Sequence, residues 1–317
     1  MNSIHDAIKN GLWPKSKTLT DFIGLARLEE LGYHLFYQGK NADMYFIPGE
    51  VAKALMVRTD RCSVFDIPLD YEIKHKGHTQ TLCSKIGLNF AKEMGIRTTD
   101  CKMLDDIPEE IASRSQVVEL CKPLVIPLDG KNKSMEFVFR NYLTGSLYES
   151  YKNGEDPYHL SLSSKLKEWE YFVLPLFTPT TKGIKDVPIN HSYVRSSFEN
   201  IVNELGMLFI KFTEFAYSRG LVLVDTKFEV FINSNGDWVL GDEVFTPESS
   251  RFILSSNFRE NKYIPLDKQV LRDFGKEQNW KEKAKELKPG EMLCVDVPKN
   301  ISDQILKNSK HIYHLLN

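Results

Sequence analysis

Asp225, Lys227 and Glu229 alternate along the chain with Thr226, Phe228 and Val230. A strand points successive side chains to opposite faces, so the three charged groups share one face. A turn cluster follows, Asn233-Ser-Asn-Gly-Asp237, and Trp238 to Leu240 begin a return strand leading into Gly241-Asp242-Glu243. A four-residue loop pairing Asn233 with Trp238 sets Glu229 directly opposite Asp242. Like charges facing each other across an antiparallel pair repel, and a cation between them reverses the sign of that interaction. Hard carboxylate oxygens in this arrangement suit Mg²⁺ brought in with the phosphates of a nucleotide. The pattern fits equally a hairpin with a solvated charged face, and spacing alone does not decide between the two.

Other stretches carry anion-binding chemistry. Arg140-Asn-Tyr-Leu-Thr-Gly-Ser146 reads as an arginine leaving a strand, a Gly-Ser turn and a helix start. Fork-shaped donors beside helix N-terminal amides make an oxyanion pocket; the plainer reading is an N-cap serine with a surface arginine. Gly39-Lys40 sits at a strand-to-strand turn, where backbone amides and an ammonium group can meet a phosphate, although such dipeptides are usually turns and nothing more. No GxxxxGK[ST] sequence occurs, which excludes a P-loop on motif grounds. Arg58 to Asp66 has the composition of a polar loop leaving a sheet to line a cleft, and Pro175 to Lys182 is a proline-bounded, hydroxyl-rich loop of the kind that carries function. His75 and His78 lack a third ligand at metal spacing.

These groups need a scaffold, and hydrophobic periodicity supplies one. Leu221 to Val224 form a continuous apolar run expected of a buried strand. From Tyr193 to Ser218 the apolar positions fall at steps of three and four, predicting a helix that stops at Gly220 and feeds that strand. Leu35 to Asp60 reads as a strand meander, residues 79–94 and 302–316 as amphipathic helices, and residues 1–30 as one or two short helices. Val117 to Ile126 and Met135 to Phe139 read as strands joined by a polar turn at 128–134, with a lobe boundary near 125. The 317 residues are 42% hydrophobic and 26% charged, with a formal charge of −2. That composition is ordinary for a globular chain and offers no electrostatic footprint for nucleic acid or an anionic membrane. Five cysteines without a CxxC pair, and no apolar run of membrane-spanning length, point to a reducing, cytoplasmic setting.

Several of these stretches, taken in order, resemble one family: the phosphoribosylaminoimidazole-succinocarboxamide synthases, or SAICAR synthetases, of purine biosynthesis. The matching segments are GKNADMY (39–45), TDRCSVFD (59–66), HKG (75–77), MEFVFRNYLTGS (135–146), PLFTPTTK (175–182), GLVLVDTKFEV (220–230), LGDEVFTPESSRF (240–252) and LDKQVLRD (266–273). The resemblance implies an α+β fold in two lobes, related to ATP-grasp enzymes, with ATP in the cleft between them. Residues 1–125 would form the lobe with the nucleotide phosphate-binding sheet, and 126–317 the lobe with the metal and ribotide sites.

It also implies an ATP-dependent ligase joining L-aspartate to 5-amino-1-(5-phosphoribosyl)imidazole-4-carboxylate through an acyl phosphate, as a monomer or homodimer. By that resemblance Glu229 and Asp242 hold Mg²⁺, and Lys40 and Lys227 neutralise phosphate oxygens. Arg140, Ser146 and Arg251 form the pocket for the ribotide's 5′-phosphate, Asp225 lies near the reacting carboxylate, and Lys268 and Arg272 meet substrate carboxylates. Adenine is expected against the backbone near Pro123 to Pro127. Two positions depart from the family pattern. Ala42 stands where a second cation is usual, with Lys53 or Arg58 as substitutes, and Lys185-Asp186 replaces His-Asp after the proline-rich loop. Those departures leave one alternative, a non-catalytic nucleotide- or ribotide-binding relative of the same fold; the hairpin taken alone leaves another, a different ATP-dependent carboxylate–amine ligase or small-molecule kinase on a similar scaffold.

Overall fold

The computed structural model describes residues 28–39, 41–65, 67–183, 186–287 and 291–317. The helices expected before residue 28, and the side chains of Lys40 and Lys185, lie outside the described residues. The chain separates into two compact units. The first takes residues up to Leu82, Asp100–Leu120 and Lys268–Tyr313; the second takes Cys83–Thr99, Cys121–Asp267 and His314–Asn317.

In the first unit the expected meander forms as β1 (His34–Gln38), β2 (Ala42–Phe46) and β3 (Lys53–Arg58), followed by a hairpin of β4 (Arg61–Val64) and β5 (Ile67–Glu72). β6 (Asp100–Cys101) and β7 (Ser115–Glu119) complete a sheet in the order β1-β2-β3-β7-β6. One face buries Leu28, Tyr33, Tyr45, Leu55, Val57, Ile111 and Val117. A second cluster joins Val64, Leu69 and Ile73 to Leu271, Trp280, Ile301 and Ile305, so the late helices Gln269–Glu277 and Lys299–Leu316 close over the small hairpin.

The stretch expected to be a cleft-lining polar loop at 58–66 instead contributes strand residues with buried arginines. Arg61 reaches both carboxylate oxygens of Asp43, one at 3.1 Å, and the carbonyl of Gly39; Arg58 donates to Gln116. A guanidinium fork survives burial when matched partners replace its water. Asp60 accepts hydrogen bonds from the His75 and Gly77 amides, capping α1 (Lys76–Glu93) from a distant part of the sequence.

The second unit is built on two long strands. β8 (Lys122–Pro123) and β9 (Val125–Leu128) precede β10 (Lys131–Tyr142), and α2 (Ser146–Lys152) leads on to β11 (Tyr171–Phe177) and β12 (Thr180–Thr181). The expected polar turn at 128–134 is shorter than its composition suggested. Asp129 and Gly130 (φ 49° and 72°) turn the chain, and Lys131 already pairs with Leu128. An Asp-Gly pair with two positive φ values matches the twist of a hairpin, so the polar residues after it can continue as strand.

The predicted long helix divides at Phe198 (φ −139°) into α3 (His191–Ser197) and α4 (Glu199–Ser218). α4 buries Leu205, Leu208, Phe209 and Phe212, and Gly220 (φ 84°) releases the chain into β13 (Leu221–Ile232). β14 (Trp238–Gly241) and β15 (Ser250–Leu254) both pair antiparallel with β13. Phe139 of β10 packs on Phe209 of α4 at 5.9 Å between ring centroids, and Phe228 of β13 lies 5.2 Å from Phe245, itself stacked on Phe212. This aromatic seam fixes one face of β10 and β13 against α4. The alternate side chains must therefore point the other way, and those are the charged ones.

Candidate active site

Three charged residues stand in a row across three neighbouring strands. Arg140 on β10 is directly opposite Asp225 on β13, and Asp225 is directly opposite Arg251 on β15. Arg140 donates from Nη1 to Asp225 at 3.0 Å and from Nε to Thr178 Oγ1 at 2.9 Å. Arg251 donates from Nε to the two Asp225 oxygens at 2.9 and 3.0 Å, and from Nη2 to the same carboxylate. Asp225 is only 8% exposed, so two permanently charged forks converge on a single buried carboxylate. Asp225 and Asp267 hold the Arg251 guanidinium above its ordinary value despite burial, which keeps it cationic.

Gly145 brings the start of α2 against this row. Its φ of 63° is open to glycine at no steric cost, and a Cβ there would lie 3.0 Å from Arg251 Nη1. Ser146, the first residue of α2, is exposed beside it. Arg251, distant in sequence from Arg140 and Ser146, thus belongs to one patch with them.

Farther along β13 the chemistry changes sign. Lys227 Nζ lies 2.8 Å from Glu136, and Thr180 Oγ1 approaches the other Glu136 oxygen at 3.5 Å. Glu229 accepts a hydrogen bond from Lys182, whose ammonium group is also 3.8 Å from Asp242. The expected register is off by one: Glu229 pairs with Gly241, not Asp242. The Asn233 amide donates to the Asp237 carbonyl at 2.9 Å, its side-chain oxygen accepts from the Asn235 and Asp237 amides, and Gly236 turns with φ 85°. The connection is thus a three-residue loop with glycine at the left-handed position, which moves the pairing by one residue.

A one-residue shift normally sends a side chain to the opposite face. Here β14 ends at Gly241, and Asp242 takes φ 59°, so its carboxylate still comes within reach of the ammonium group that Glu229 binds. Glycine at 241 is enforced by space as well, since a Cβ would come within 2.8 Å of Thr99 and 2.9 Å of Phe231.

Three carboxylates face two ammonium groups at this end. Burial, with Asp242 and Glu136 adding to it against the pull of Lys182, pushes the Glu229 carboxyl up to about 7. Against burial, Glu229, Asp242 and Glu136 hold Lys182 above the ordinary lysine value, and Glu136, Glu229 and Asp186 do the same for Lys227. Among the described residues no group of three or more His, Cys, Asp or Glu is set to hold a metal unaided. Glu229 and Asp242 suit an ion that takes one or two carboxylates and completes its shell with phosphate oxygens and water, as Mg²⁺ does.

Sequence reasoning missed Lys182 and Glu136 as site residues. Lys182 closed a loop flagged for function, and Glu136 shares the even-numbered face of β10 with Arg140; period-two counting from Arg140 would have found it.

A model of the SAICAR synthetase family matches residues 35–287, four-fifths of the chain and both clusters. The chain belongs to the SAICAR synthetase family. Among its relatives, the phosphoribosylaminoimidazole-succinocarboxamide synthase of Pasteurella multocida is 34% identical over 80% of this chain and 90% of its own. That of Pichia angusta is 32% identical over 76% and 83%. The fold matches the SAICAR synthase of Saccharomyces cerevisiae, solved with SAICAR, at a TM-score of 0.70 and 26% identity, covering 90% of this chain and 94% of that one.

The remaining family positions fall in the first unit. Lys268 precedes the helix Gln269–Glu277 and Arg272 lies in its first turn. Of the candidates to replace the cation missing at Ala42, Lys53 pairs with Glu50 at 3.1 Å, and Arg58 is buried against Gln116.

Proposed function

We propose that this protein is an ATP-dependent ligase that forms SAICAR, ADP and phosphate from L-aspartate and 5-amino-1-(5-phosphoribosyl)imidazole-4-carboxylate. The observation carrying this reading is the reversal of chemistry along one strand: an arginine pocket around Asp225 and a carboxylate pair at Glu229 and Asp242. Four residues of strand separate Asp225 from Glu229, about 13 Å, which leaves room for a ribose and an imidazole ring between a phosphate and a metal-bound triphosphate. A small-molecule kinase would need the second end alone.

In this reading Arg140, Ser146 and Arg251 hold the ribotide's 5′-phosphate. Asp225 keeps the two guanidinium groups aligned and, next to the substrate, orients the imidazole's amino group. Glu229 and Asp242 hold Mg²⁺, which neutralises charge on the triphosphate. Lys227, pinned by Glu136 midway between the ends, places positive charge where the phosphoryl group moves, and Lys40 and Lys182 supply further charge to the phosphates. Lys268 and Arg272 are assigned to substrate carboxylates, and the adenine to the strand segment 123–127. A carboxylate does not accept an amine at neutral pH because oxide is too poor a leaving group. Transfer of the γ-phosphoryl group to the carboxylate oxygen releases ADP; attack of the aspartate amine on the acyl carbon then releases phosphate, and the amine's proton passes to solvent. The enzyme would work in the cytoplasm on small molecules, as a monomer or homodimer, with no nucleic acid or membrane.

A coupled assay with aspartate omitted in one arm tests the reaction. ADP release and product absorbance should rise together only when ribotide, ATP and aspartate are all present. ADP release without aspartate-dependent product would overturn it, and binding of ATP and ribotide without turnover would favour a non-catalytic relative.

A further inference from the structure

The two lysines at the carboxylate end are held differently. Lys227 bonds Glu136, a carboxylate only 3% exposed. Lys182 instead reaches Glu229 and Asp242, the two groups assigned to the ion. Its backbone is fixed: the Lys182 amide donates to the Ser134 carbonyl at 2.8 Å, and β12 pairs with β10 through Thr180 and Thr181. The side chain is 45% exposed on that rigid base, with a four-carbon stem free to turn. An ammonium group within reach of two carboxylates answers the same electrostatic demand as a divalent ion, and it fills the same space.

We propose that Lys182 is a placeholder for the metal: it holds Glu229 and Asp242 together until the metal–nucleotide complex arrives, then swings onto the phosphate oxygens. The proposal rests on the metal reading above and adds a coupling to it. Bare metal must displace the ammonium group into water, whereas metal entering with a triphosphate gives that group a new anionic partner. The site therefore favours the metal–nucleotide complex over the free ion, and one flexible side chain links the two binding events.

Titration of the full chain with Mn²⁺, followed by electron paramagnetic resonance with and without ATP, tests this. Lys182→Met should bind Mn²⁺ alone about tenfold more tightly than wild type, since a competing charge is gone. It should also lose most of the gain in Mn²⁺ affinity that ATP confers on wild type. Lys182→Arg, which keeps the charge, should stay near wild type. A folding defect weakens binding and cannot imitate a gain. If Lys182→Met binds Mn²⁺ no more tightly than wild type while Glu229→Gln weakens it, the placeholder is overturned and the metal clamp stands. If Glu229→Gln leaves Mn²⁺ binding unchanged, the clamp falls, and the placeholder with it.

Discussion

The two ends of β13 hold charge in opposite ways. At Asp225, two arginines straddle one carboxylate from directly opposite cross-strand positions, and guanidinium groups keep their charge at any pH a protein tolerates. At Glu229, carboxylates outnumber ammonium groups, the partners come from a loop and a strand end rather than a regular ladder, and at least one group titrates near neutrality. The first end is a permanently charged socket set by cross-strand pairs. The second is a titratable socket whose partners come from irregularly paired segments. An enzyme that must register a constant substrate group against a transferring one gains from that division, because positioning and charge neutralisation account for most of phosphoryl-transfer catalysis.

The sharpest way to break the contrast is to remove the carboxylate that holds the arginine row. Asp225→Ala leaves two guanidinium groups side by side without their anion and should cost about 3–5 kcal/mol of stability. Urea denaturation measures this, and added phosphate should restore part of the loss; an unshifted midpoint would mean the row does not depend on Asp225. At the other end, Glu229→Gln should lower turnover on the order of a hundred- to a thousandfold, the scale of losing one preorganised electrostatic contact. Ribotide binding, measured by calorimetry, should hardly change, and an equal loss in both would erase the distinction between the ends. Arg251→Ala should weaken the phosphorylated acceptor by about 1.5–3 kcal/mol and leave the KM for ATP alone. A rise in the ATP KM instead would move Arg251 to the other socket.

Acidity gives the smallest and most diagnostic effect. The Glu229 carboxyl lies above its unfolded value, at about 7, so without metal its contribution to stability is complete below the ordinary glutamate range and is lost as pH rises through 7. Between pH 5 and pH 8 the metal-free wild type should lose on the order of 1–3 kcal/mol relative to Glu229→Gln. Metal binding runs the opposite way and should weaken as pH falls below 7, because the ion needs the carboxylate. Parallel stability curves for the two proteins would show that the Glu229 carboxyl is not raised.

Much of this was legible in one dimension. The period-two face of Asp225, Lys227 and Glu229, the meander before residue 60 and the helix ending at Gly220 depend on spacing that neighbouring residues enforce. The hairpin register was not legible, because Asn233-Ser-Asn-Gly-Asp237 accommodates two loop lengths that differ by one residue. Its choice came from backbone hydrogen bonds and from the left-handed turns at Gly236 and Asp242. The segment from Arg58 read as a cleft-lining polar loop because composition cannot foresee that Asp43 and Gln116 will meet its arginines inside the fold.

Local periodicity by itself determined which side chains share the charged face of β13, and the order of motifs along the chain carried the resemblance to the SAICAR synthetases. Tertiary structure alone decided that Lys182 joins those side chains, since it is brought in at the end of a strand pairing across more than forty residues of sequence. It also decided that Asp242 reaches the same ammonium group as Glu229 despite the shifted register. The physical reason is that a strand's faces follow from its own geometry, whereas its partners are chosen by packing among distant segments.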